Sequence, residues 1–516
     1  MPEPPRQGSA ASSRAREAGR DVGRGAAGAS MSYADADALV AQLPPLDGIT
    51  ADSRRVAQRM AFAAYPGIAR DGRDFIGDAL ARGAAAVVWE ARDFAWQARW
   101  NVPQAAVADL KASVGAIAAT VYGHPSQALW TIGVTGTNGK TSCAHFLAQA
   151  LSRCGRRTAV AGTLGNGFVD ALSPSPNTTP DACALQASLA QWRRDGAVAV
   201  AMEVSSHGLD QGRVNGVAFD VALFTNLTRD HLDYHGTLAA YGAAKARLFA
   251  WPGLRTGVIN AGDAFGRTLI ESARARGLRV VAYGAADADI VATRVDMSGP
   301  RTTIEIRTPQ GAGTLSTPLA GAFNVQNLLG VLGVLLASDV ALADALGALS
   351  TLEAPPGRMQ RLGGGSDPLV VVDYAHTPDA LAQVLAAMRP AVGAGGRLVC
   401  VFGCGGDRDR GKRAPMGEIA GRLADRVVIT NDNPRGEDPR DIAAAIVAGL
   451  APVATGWTIE LDRARAIEQA LCDAREGDVV VLAGKGHEDY QETNGERLPF
   501  SDIRFAAGVL AHRRRA

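Results

Sequence analysis

The chain has 516 residues, of which 47% are hydrophobic, and a formal net charge of +1. A chain of this length is too long for one hydrophobic core and indicates about three domains. The balanced charge argues against a nucleic-acid partner, and because no run of about eighteen apolar residues occurs, no membrane span is expected. Six scattered cysteines without the spacing of a zinc site indicate reduced thiols and a cytoplasmic protein.

Residues 1–30 are rich in Arg, Ala, Gly and Ser and have no apolar segment of the kind that a secretory signal requires. We expect them to form a disordered extension, with Met31 as a candidate start. A basic, acid-poor leader is also typical of an organelle transit peptide. Its glycines and prolines, however, disfavour the amphipathic helix that such leaders form.

The segment 31–127 alternates short apolar runs with helical patterns and predicts a small α/β domain. The runs at 85–89 and 105–108 are its candidate strands. Within it, residues 50–54 form a polar turn that could hold phosphate or cap a helix, and the cap is the favoured interpretation.

Residues 133–142 read Gly-Val-Thr-Gly-Thr-Asn-Gly-Lys-Thr-Ser. The pattern predicts a strand, a glycine-rich turn and a helix, whose backbone N–H groups and positive N-terminal end bind phosphate. Gly136 and Gly139 permit the turn. Lys140 can reach the β- and γ-phosphates, and the hydroxyl of Thr141 is placed to ligate Mg²⁺.

The full phosphate-loop motif has a glycine where this chain has Val134. A bare Gly-Lys-Thr also occurs in ordinary turns, so the prediction depends on its context. That context is an apolar strand before the loop and an amphipathic helical segment, 145–151, after it.

The segment 128–355 repeats strand-then-helix patterns, which predicts a mostly parallel sheet with helices on both faces. Its candidate strands are 158–162, 197–204, 221–227 and 257–260. Ligands of such sheets bind at the carboxyl ends of the strands. Polar clusters fall at or beside those ends, at 177–180, 203–208 and 225–235.

Side chains in these clusters allow more than one interpretation. Glu203 could ligate Mg²⁺ beside Thr141 or cap a helix. His231 and His235 lie four residues apart, but a zinc site needs a further ligand, and histidine is an unusual ligand for Mg²⁺. Composition alone predicts Lys245 to be a solvated helix lysine.

A linker is indicated at 353–357, and a fresh α/β pattern fills 356–516. Its candidate strands are 369–373, 398–402, 427–430 and 479–483. Each strand precedes or enters a polar loop, and these loops are 373–378, 403–413, 432–435 and 484–488.

The order of these motifs along the chain is specific: Gly-Thr-Asn-Gly-Lys-Thr, Asn-Thr-Thr-Pro, Glu-Val-Ser-Ser-His-Gly-Leu, Thr-Asn-Leu-Thr-Arg-Asp-His-Leu-Asp-Tyr-His-Gly, Asp-Tyr-Ala-His-Thr-Pro, Asp-Asn-Pro-Arg and Gly-Lys-Gly-His-Glu. Over residues 31–510 the chain closely resembles the ATP-dependent Mur ligases of peptidoglycan synthesis. The resemblance implies three α/β domains. These are a UDP-binding domain (31–127), a central P-loop-type domain with a mostly parallel sheet (128–355), and a Rossmann-like amino-acid-binding domain (356–516).

The resemblance also implies roles for individual residues. The catalytic residues are Lys140, Glu203, His231 and Lys245. ATP is bound by Gly136, Thr137, Asn138, Gly139, Lys140, Thr141, Ser142, Asn327, Arg358 and Asp373. The UDP-muramoyl-dipeptide is held by Ser53, Asn177, Thr178, Thr179, Ser205, Gln211 and Arg213. Diaminopimelate is held by Arg408, Asp432, Asn433, Pro434, Arg435, Gly484 and Glu488. Mg²⁺ is ligated by Thr141, Glu203, His231 and carbamylated Lys245.

The reaction implied is the ATP-dependent addition of meso-diaminopimelate to UDP-MurNAc-L-Ala-D-Glu through an acyl phosphate, with Mg²⁺, by a cytoplasmic monomer. An L-lysine-adding homologue and a folylpolyglutamate synthetase-like ligase are the alternatives within the class. The Asp-Asn-Pro-Arg loop at 432–435 favours diaminopimelate. An ATP-hydrolysing protein that moves or signals, and a non-catalytic binding protein, are alternatives from other classes.

Overall fold

The computed structural model describes residues 31–67, 70–175, 177–297, 301–450 and 456–513. The extension predicted for residues 1–30 lies outside these ranges. Within the described residues, no helix is long and apolar enough to cross a membrane.

The first unit is a parallel sheet with the strand order β1-β2-β3-β4 and helices beside it. Its elements are α1 (Tyr33–Val40), β1 (Gly48–Thr50), β2 (Met60–Ala64), α2 (Ile76–Ala81), β3 (Ala86–Glu90), β4 (Gln104–Val107) and α3 (Leu110–Val121). Both strands predicted from sequence are present, and a small α/β unit is confirmed.

The central sheet is built on β5, which leads into the phosphate loop. Its strands are β5 (Trp130–Thr135), β6 (Thr158–Gly162), β7 (Gly165–Phe168), β8 (Ala171–Ser173), β9 (Ala199–Glu203), β10 (Val221–Phe224), β11 (Thr256–Asn260) and β12 (Arg279–Tyr283). The strand order is β12-β11-β10-β5-β9-β6-β7-β8, parallel from β12 to β6 and antiparallel beyond it. The predicted mostly parallel sheet is confirmed.

Helices cover both faces of this sheet, and a small antiparallel sheet of order β13-β14-β15 packs beside them. The helices are α4 (Lys140–Arg153), α5 (Ala182–Arg194), α6 (Ser206–Asp210), α7 (Leu232–His235), α8 (Leu238–Ala246), α9 (Ala264–Ala275), α10 (Ala322–Ala337) and α11 (Leu342–Leu349). The added strands are β13 (Val291–Asp296), β14 (Thr302–Thr308) and β15 (Gly311–Thr317). The sequence prediction did not include these three strands.

The C-terminal sheet has the order β16-β17-β21-β18-β19-β20, parallel except for the edge strand β16. Its strands are β16 (Gln360–Gly363), β17 (Leu369–Asp373), β18 (Leu398–Phe402), β19 (Arg426–Ile429), β20 (Trp457–Ile459) and β21 (Val479–Ala483). Its helices are α12 (Pro378–Met388), α13 (Arg413–Leu423), α14 (Pro439–Leu450), α15 (Arg463–Asp473) and α16 (Asp502–Arg513). A hairpin, β22 (Tyr490–Thr493) with β23 (Glu496–Pro499), stands apart from the sheet.

Short 3₁₀ turns complete the fold, at Ser53–Arg55, Gly72–Phe75, Pro125–Ala128, Arg247–Ala250, Arg389–Ala391 and Arg410–Lys412. The first of them decides between the two interpretations of the polar turn at 50–54. Asp52 caps this 3₁₀ turn by accepting a hydrogen bond from the backbone N–H of Arg54. The helix-cap interpretation is confirmed. The boundaries placed at 127/128 and 355/356 stay predictions.

Candidate active site

The phosphate loop runs from the end of β5 to the start of α4, and two glycines fix its shape. Gly136 has φ of 147° and Gly139 has φ of 87°, both in the region that favours glycine. A Cβ on Gly136 would lie 1.9 Å from the Thr225 hydroxyl oxygen. Val134, which replaces the motif's first glycine, is a fully buried strand residue. The departure therefore falls in β5, before the turn begins.

Lys140 begins α4 and folds back over the loop. Its Nζ donates hydrogen bonds to the carbonyl oxygens of Gly136 and Thr137, both at 2.8 Å. Burial lowers the pKa of this ammonium group. The lysine thus lies over the loop where the phosphates of a nucleotide would bind.

Helix α4 itself differs from the prediction. The 145–151 segment was predicted to be amphipathic, but His145, Phe146, Leu147 and Ala148 are all buried. The prediction was wrong because α10 and α11 pack over the face of α4 that lies away from the sheet.

A carboxylate and a hydroxyl meet beside the loop. Glu203 ends β9, pairs in register with Val134 and is only 1% exposed. Its Oε2 accepts a hydrogen bond from the Thr141 hydroxyl at 3.0 Å, and its Oε1 accepts one from the Thr163 backbone at 2.7 Å. The helix-cap alternative for Glu203 does not hold, since its side chain joins the loop and the β6–β7 turn.

These oxygens form a donor set that suits Mg²⁺, which in nucleotide sites takes one or two carboxylates together with phosphate and water oxygens. The described residues contain no group of three or more His, Cys, Asp or Glu side chains arranged to hold a metal by themselves. The residues present therefore fit a cation that a bound nucleotide helps to ligate.

Lys245 lies on α8, behind the phosphate loop. Its side chain is 1% exposed, and its Nζ donates to the Gly136 carbonyl oxygen at 2.8 Å. The nitrogen is also 4.2 Å from the centre of the Tyr241 ring. Burial lowers the pKa of Lys245 well below its usual value. The composition-based prediction of a solvated lysine is wrong, because α8 packs this side chain against the loop.

Histidines surround the start of α7 and α8. His231 lines the cleft, and its ring centre lies 4.8 Å from that of His207. His235 turns away from the cleft, and its Nε2 lies 3.0 Å from the Ser206 hydroxyl oxygen. The spacing of His231 and His235 therefore does not make a shared zinc site.

A second network joins the end of β9 and the segment after it to the loop between β8 and α5. The Thr179 hydroxyl donates to the Glu203 backbone carbonyl at 2.9 Å and lies 3.1 Å from the Ser205 hydroxyl. Arg213 donates to the Thr179 carbonyl oxygen at 2.9 Å and to the Gln211 side-chain oxygen at 2.6 Å. Tyr65 from the first unit is near Arg213, so this network lies where the first two units meet.

The C-terminal sheet brings residues of all four of its polar loops to the cleft. Asn433, Glu488 and Arg435 all line the cleft there. The Asn433 amide nitrogen donates to Glu488 Oε2 at 2.9 Å. Gly484 has φ of 108°, and a Cβ at that position would lie 2.5 Å from a carboxylate oxygen of Asp432.

The hairpin β22–β23 docks on the loop that carries Arg435. The Arg435 backbone N–H donates to the Glu492 carbonyl oxygen at 3.0 Å, and its guanidinium Nη1 donates to the Gly406 carbonyl oxygen at 2.9 Å. Its Nε also lies 3.7 Å from Glu492 Oε2. Arg435 has φ of 52°, so the strained loop is held by contacts on two sides.

One cleft of about 1510 Å³ joins these groups. It is lined by most of the residues predicted from the sequence, including Lys140, Glu203, Lys245, Arg358 and Arg435. Among the described residues predicted for the site, five do not line this cleft: Ser53, Gly136, Thr179, Gln211 and Pro434. Gly136, Thr179, Gln211 and Pro434 adjoin residues that do, whereas Ser53 belongs to the first unit.

Contacts across the cleft connect the central and C-terminal units. Arg358 Nη2 donates to the Thr141 hydroxyl at 3.0 Å, which brings the region before β16 to the phosphate loop. The Asn138 amide donates to Asp379 at 3.0 Å. Asp373, whose Oδ2 accepts from the Met359 backbone at 2.7 Å, has its pKa raised by burial.

Sequence reasoning missed residues that complete these contacts. Asp230 is buried, and its carboxylate lies 3.6 Å from His376 Nε2 across the cleft. Lys485 and Glu492 support the Asn433 and Arg435 loop. Asp230, His376 and Lys485 all lie in polar loops that the sequence did indicate. Their spacing along the chain, however, does not show which side chains they contact in the folded protein.

The fold and site define a nucleotide-binding α/β protein whose phosphate loop faces a second pocket across one cleft. Family profiles match in the same order: "Mur ligase family, catalytic domain" at 45–122, "Mur ligase middle domain" at 134–335 and "Mur ligase, glutamate ligase domain" at 357–486. The chain belongs to the Mur ligase family.

Relatives and solved structures agree with this assignment. The chain is similar to proteins named UDP-N-acetylmuramoyl-L-alanyl-D-glutamate–2,6-diaminopimelate ligase. The one from Ectopseudomonas mendocina is 54% identical over 90% of this chain and 94% of the relative. The one from Chromobacterium violaceum is 51% identical over 92% and 96%. A solved structure of a ligase with the same name is 38% identical, with a TM-score of 0.65 over 91% of this chain and 96% of that one.

Proposed function

We propose that this enzyme uses ATP to join meso-diaminopimelate to the D-glutamate of UDP-MurNAc-L-Ala-D-Glu, a step of peptidoglycan precursor synthesis. The observation that carries the proposal is that one cleft of about 1510 Å³ holds both the phosphate loop and the Asn433, Arg435 and Glu488 pocket. A ligase of this kind needs a phosphoryl donor and an incoming amine to reach the same carboxylate.

The phosphate loop binds ATP in this proposal. Backbone N–H groups of residues 136–141 and the ammonium of Lys140 face its phosphates. Asn327 of α10 lies beside Gly139 on the same side of the cleft, and Arg358 and Asp373 approach the nucleotide from the other side. Thr141 and Glu203, whose oxygens lie 3.0 Å apart, would hold Mg²⁺. Bound there, the cation would neutralise phosphate charge during transfer.

Lys245 carries a carbamate in this proposal. Carbamylation needs a neutral amine, and the buried Lys245 ammonium has a pKa lowered well below the usual value. The modified side chain would present carboxylate oxygens, and with His231 it would hold a second Mg²⁺. This assignment gives the fully enclosed lysine a chemical role.

The muramoyl dipeptide enters from the side of the first unit. Ser53 contacts its UDP end, and Asn177, Thr178, Thr179, Ser205, Gln211 and Arg213 hold the muramoyl dipeptide. The D-glutamyl γ-carboxylate oxygen attacks the γ-phosphorus of ATP, the bond to the β–γ bridging oxygen breaks, and ADP leaves. The product is an acyl phosphate, which activates a carboxylate that is otherwise a poor acylating agent.

The incoming amino acid binds beside the C-terminal loops. Its α-amino nitrogen attacks the acyl carbon, the carbon–oxygen bond to phosphate breaks, and the nitrogen loses a proton as the amide forms. Arg435 pairs with the distal carboxylate of diaminopimelate, and Glu488 holds the adjacent ammonium. Arg408, Asp432, Pro434 and Gly484 shape this pocket.

We infer further that the enzyme acts in the cytoplasm as a monomer. All six cysteines lie in the described residues and are free thiols. Free thiols favour a reducing compartment.

The proposal is tested by measuring phosphate release from ATP with substrates added singly and together. If the enzyme is a ligase, phosphate release should require both the UDP-muramoyl dipeptide and diaminopimelate, and one amide should form per phosphate released. An ATPase that moves or signals would instead release phosphate without either of them. A folylpolyglutamate synthetase-like enzyme would require a folate and glutamate.

A further inference from the structure

Lys485 is a buried cation directly behind the residues that line the proposed amino-acid pocket, and the proposed function does not use it. It follows Gly484 at the end of β21, and its side chain is 0% exposed. Its Nζ donates to Glu488 Oε2 at 2.8 Å and to Asn433 Oδ1 at 3.1 Å. Both partners are residues that we assign to the incoming amino acid.

The bonds of Lys485 determine how these two partners face the cleft. Asn433 Oδ1 accepts from Lys485 and from the Glu492 backbone N–H at 3.0 Å. Its amide nitrogen must therefore point the other way, where it donates to Glu488 Oε2 at 2.9 Å. With two donors on Oε2, the Oε1 of Glu488 accepts no hydrogen bond from the described residues. Glu488 lines the cleft, so Oε1 is the oxygen left for a ligand.

The charges around this oxygen select the kind of ligand it binds. Lys485 neutralises Glu488, and Glu492 Oε2 lies 3.7 Å from the guanidinium of Arg435. Both carboxylates therefore have a cation beside them: Lys485 is paired with Glu488, and the guanidinium groups of Arg435 and Arg497 each lie 3.7 Å from Glu492 Oε2. A pocket whose carboxylates already have cations beside them suits a zwitterionic group, with ammonium and carboxylate together, better than a lone ammonium.

We propose that Lys485 is a positioning and specificity residue, which orients Asn433 and Glu488 and adapts the pocket to the zwitterionic distal end of a diamino dicarboxylic acid. The inference rests on the proposed function, because it concerns the same amino-acid pocket. Lys485 acts through its two partners and does not touch the reacting atoms. A lysine that served only to fill the interior would affect stability without affecting the choice of amino acid.

The test is a double-mutant cycle of Lys485→Met and Glu488→Gln in the full-length enzyme, with ATP, the UDP-muramoyl dipeptide, meso-diaminopimelate and L-lysine. Lys485→Met is expected to raise KM for diaminopimelate by about tenfold or more and to leave KM for ATP within about twofold. The preference for diaminopimelate over L-lysine should fall by a similar factor, because an uncompensated Glu488 attracts a lone ammonium. In the Glu488→Gln background the same substitution should change KM by less than about threefold.

Asp478→Asn is the matched control, because Asp478 is a buried charge at the opposite end of β21. It accepts from the Arg397 backbone at 2.7 Å and pairs with the Arg397 guanidinium at 2.8 Å. This variant should lower the melting temperature and leave the amino-acid preference unchanged. If Lys485→Met behaves like Asp478→Asn, or has equal effects in both backgrounds, the inference is wrong.

The inference can still be tested if the Lys485→Met variant fails to fold. If Lys485→Met does not fold, Lys485→Gln and the double variant decide, since the double variant leaves no lone buried charge. Loss of preference in Lys485→Gln supports the inference, and an unchanged preference overturns it. If the wild-type enzyme ligates a different amino acid, the proposed function fails. The cycle run with that amino acid then still shows whether Lys485 acts through Glu488.

Discussion

Lys245 and Lys485 are enclosed lysines, with side chains 1% and 0% exposed. Burying an ammonium group destabilises the folded protein unless the group is paired with an anion or loses its proton. The two lysines differ in their surroundings. Lys485 pairs with Glu488, whereas Lys245 contacts a backbone carbonyl oxygen and the face of Tyr241. The unpaired environment of Lys245 favours the neutral amine that carbamylation requires.

Replacing Lys245 should remove the proposed carbamate. Lys245→Ala is expected to lower kcat by at least ~100-fold, the range seen when one preorganised charge-stabilising group is removed from an active site. Acetate in excess should restore part of the activity by supplying carboxylate oxygens to the vacated space. Steady-state ligation rates with and without acetate measure both effects.

Lys111→Ala is the control for this experiment, since Lys111 is an exposed lysine on α3. It should show full activity and no response to acetate. Full activity of Lys245→Ala without acetate would remove the carbamate from the mechanism.

At the residue scale, the sequence allowed prediction of the loop glycines and Lys140, because their spacing is itself the phosphate-binding geometry. It allowed Lys245 to be found only by family resemblance. Its enclosure depends on α8 packing against a loop more than a hundred residues earlier, and no local pattern records that contact. Lys485 was missed for the same reason.

At the element scale, helix α4 buries polar residues in two ways: with hydrogen-bond partners, or as a neutral side chain. Thr141 is satisfied by Glu203 and Arg358, so the polar first turn of the helix can lie inside the protein. His145, one turn further on, is 1% exposed, and its Nε2 has no hydrogen-bond partner among the described residues. Burial lowers the pKa of His145 to about 4. The helix thus holds a neutral histidine.

That histidine makes stability depend on pH. The folded pKa of about 4 lies below the ordinary value of 6.5, so between these pH values the unfolded chain binds a proton that the folded chain does not. The contribution is fully present above pH 6.5 and is lost as the pH falls to 4, at ~1.4 kcal/mol per unit of pKa difference. The melting temperature should therefore fall over this range.

His145→Gln should make the melting temperature less sensitive to pH between 6.5 and 4. His512→Gln, a substitution at an exposed histidine of α16, should leave the pH profile of the wild-type enzyme in place. Parallel pH profiles for the wild-type enzyme and His145→Gln would show that His145 does not titrate as described.

The last helix is attached by a buried ion pair. Arg463 of α15 donates to both carboxylate oxygens of Asp502, at 2.8 and 2.6 Å, and both side chains are 0% exposed. The same guanidinium donates to the carbonyl oxygens of Asn431 and Ala483, directly before the pocket loops. The pair therefore couples α16 to the two loops that we propose bind the amino acid.

Asp502→Ala should lower the free energy of unfolding by about 3–5 kcal/mol, because it leaves the buried Arg463 guanidinium uncompensated. Asp47→Ala, which breaks an ion pair whose two side chains are both 61% exposed, should cost less than about 1 kcal/mol. Urea unfolding of the two variants measures the difference. Equal effects would mean that burial does not determine the strength of these pairs.

The elements that the sequence did not predict have recognisable causes. The hairpin β22–β23 is mostly polar, with residues such as Glu492 and Arg497, and lacks the alternating apolar positions that mark a strand. The hairpin docks on the Arg435 loop through backbone hydrogen bonds between segments that are distant in the sequence. Parallel strands that are continuous apolar runs, such as β10, β17 and β18, were in contrast predicted to within a few residues, whereas β2, β12 and β20 were not predicted.

At the scale of the whole molecule, two sheets face each other across the cleft with the carboxyl ends of their strands. Glu203 ends a strand of one sheet and Asp373 ends a strand of the other. Arg358, Asp230 and Asn138 make the contacts that connect the two sides. The parallel sheets and the loops at their ends followed from the sequence, whereas the distance between them did not.

The choice of amino acid is the most direct consequence of this arrangement. A planar cation opposite the distal carboxylate of diaminopimelate would offset the cost of burying it. We assign this role to Arg435, which is held in place by Gly406 and by the hairpin. L-lysine has no such carboxylate and leaves Arg435 unmatched. Arg435→Ala should therefore raise KM for diaminopimelate, at a cost of up to about 3–5 kcal/mol, and reduce the preference.

The decisive measurement is a competition assay in which the wild-type enzyme and Arg435→Ala receive UDP-MurNAc-L-Ala-D-Glu, ATP, and equal amounts of meso-diaminopimelate and L-lysine. Mass spectrometry of the products gives the ratio of the two tripeptides. We expect the wild-type enzyme to form the diaminopimelate product almost alone and Arg435→Ala to lose most of that preference. Equal amounts of both products from the wild-type enzyme, or an unchanged ratio in Arg435→Ala, would contradict the account.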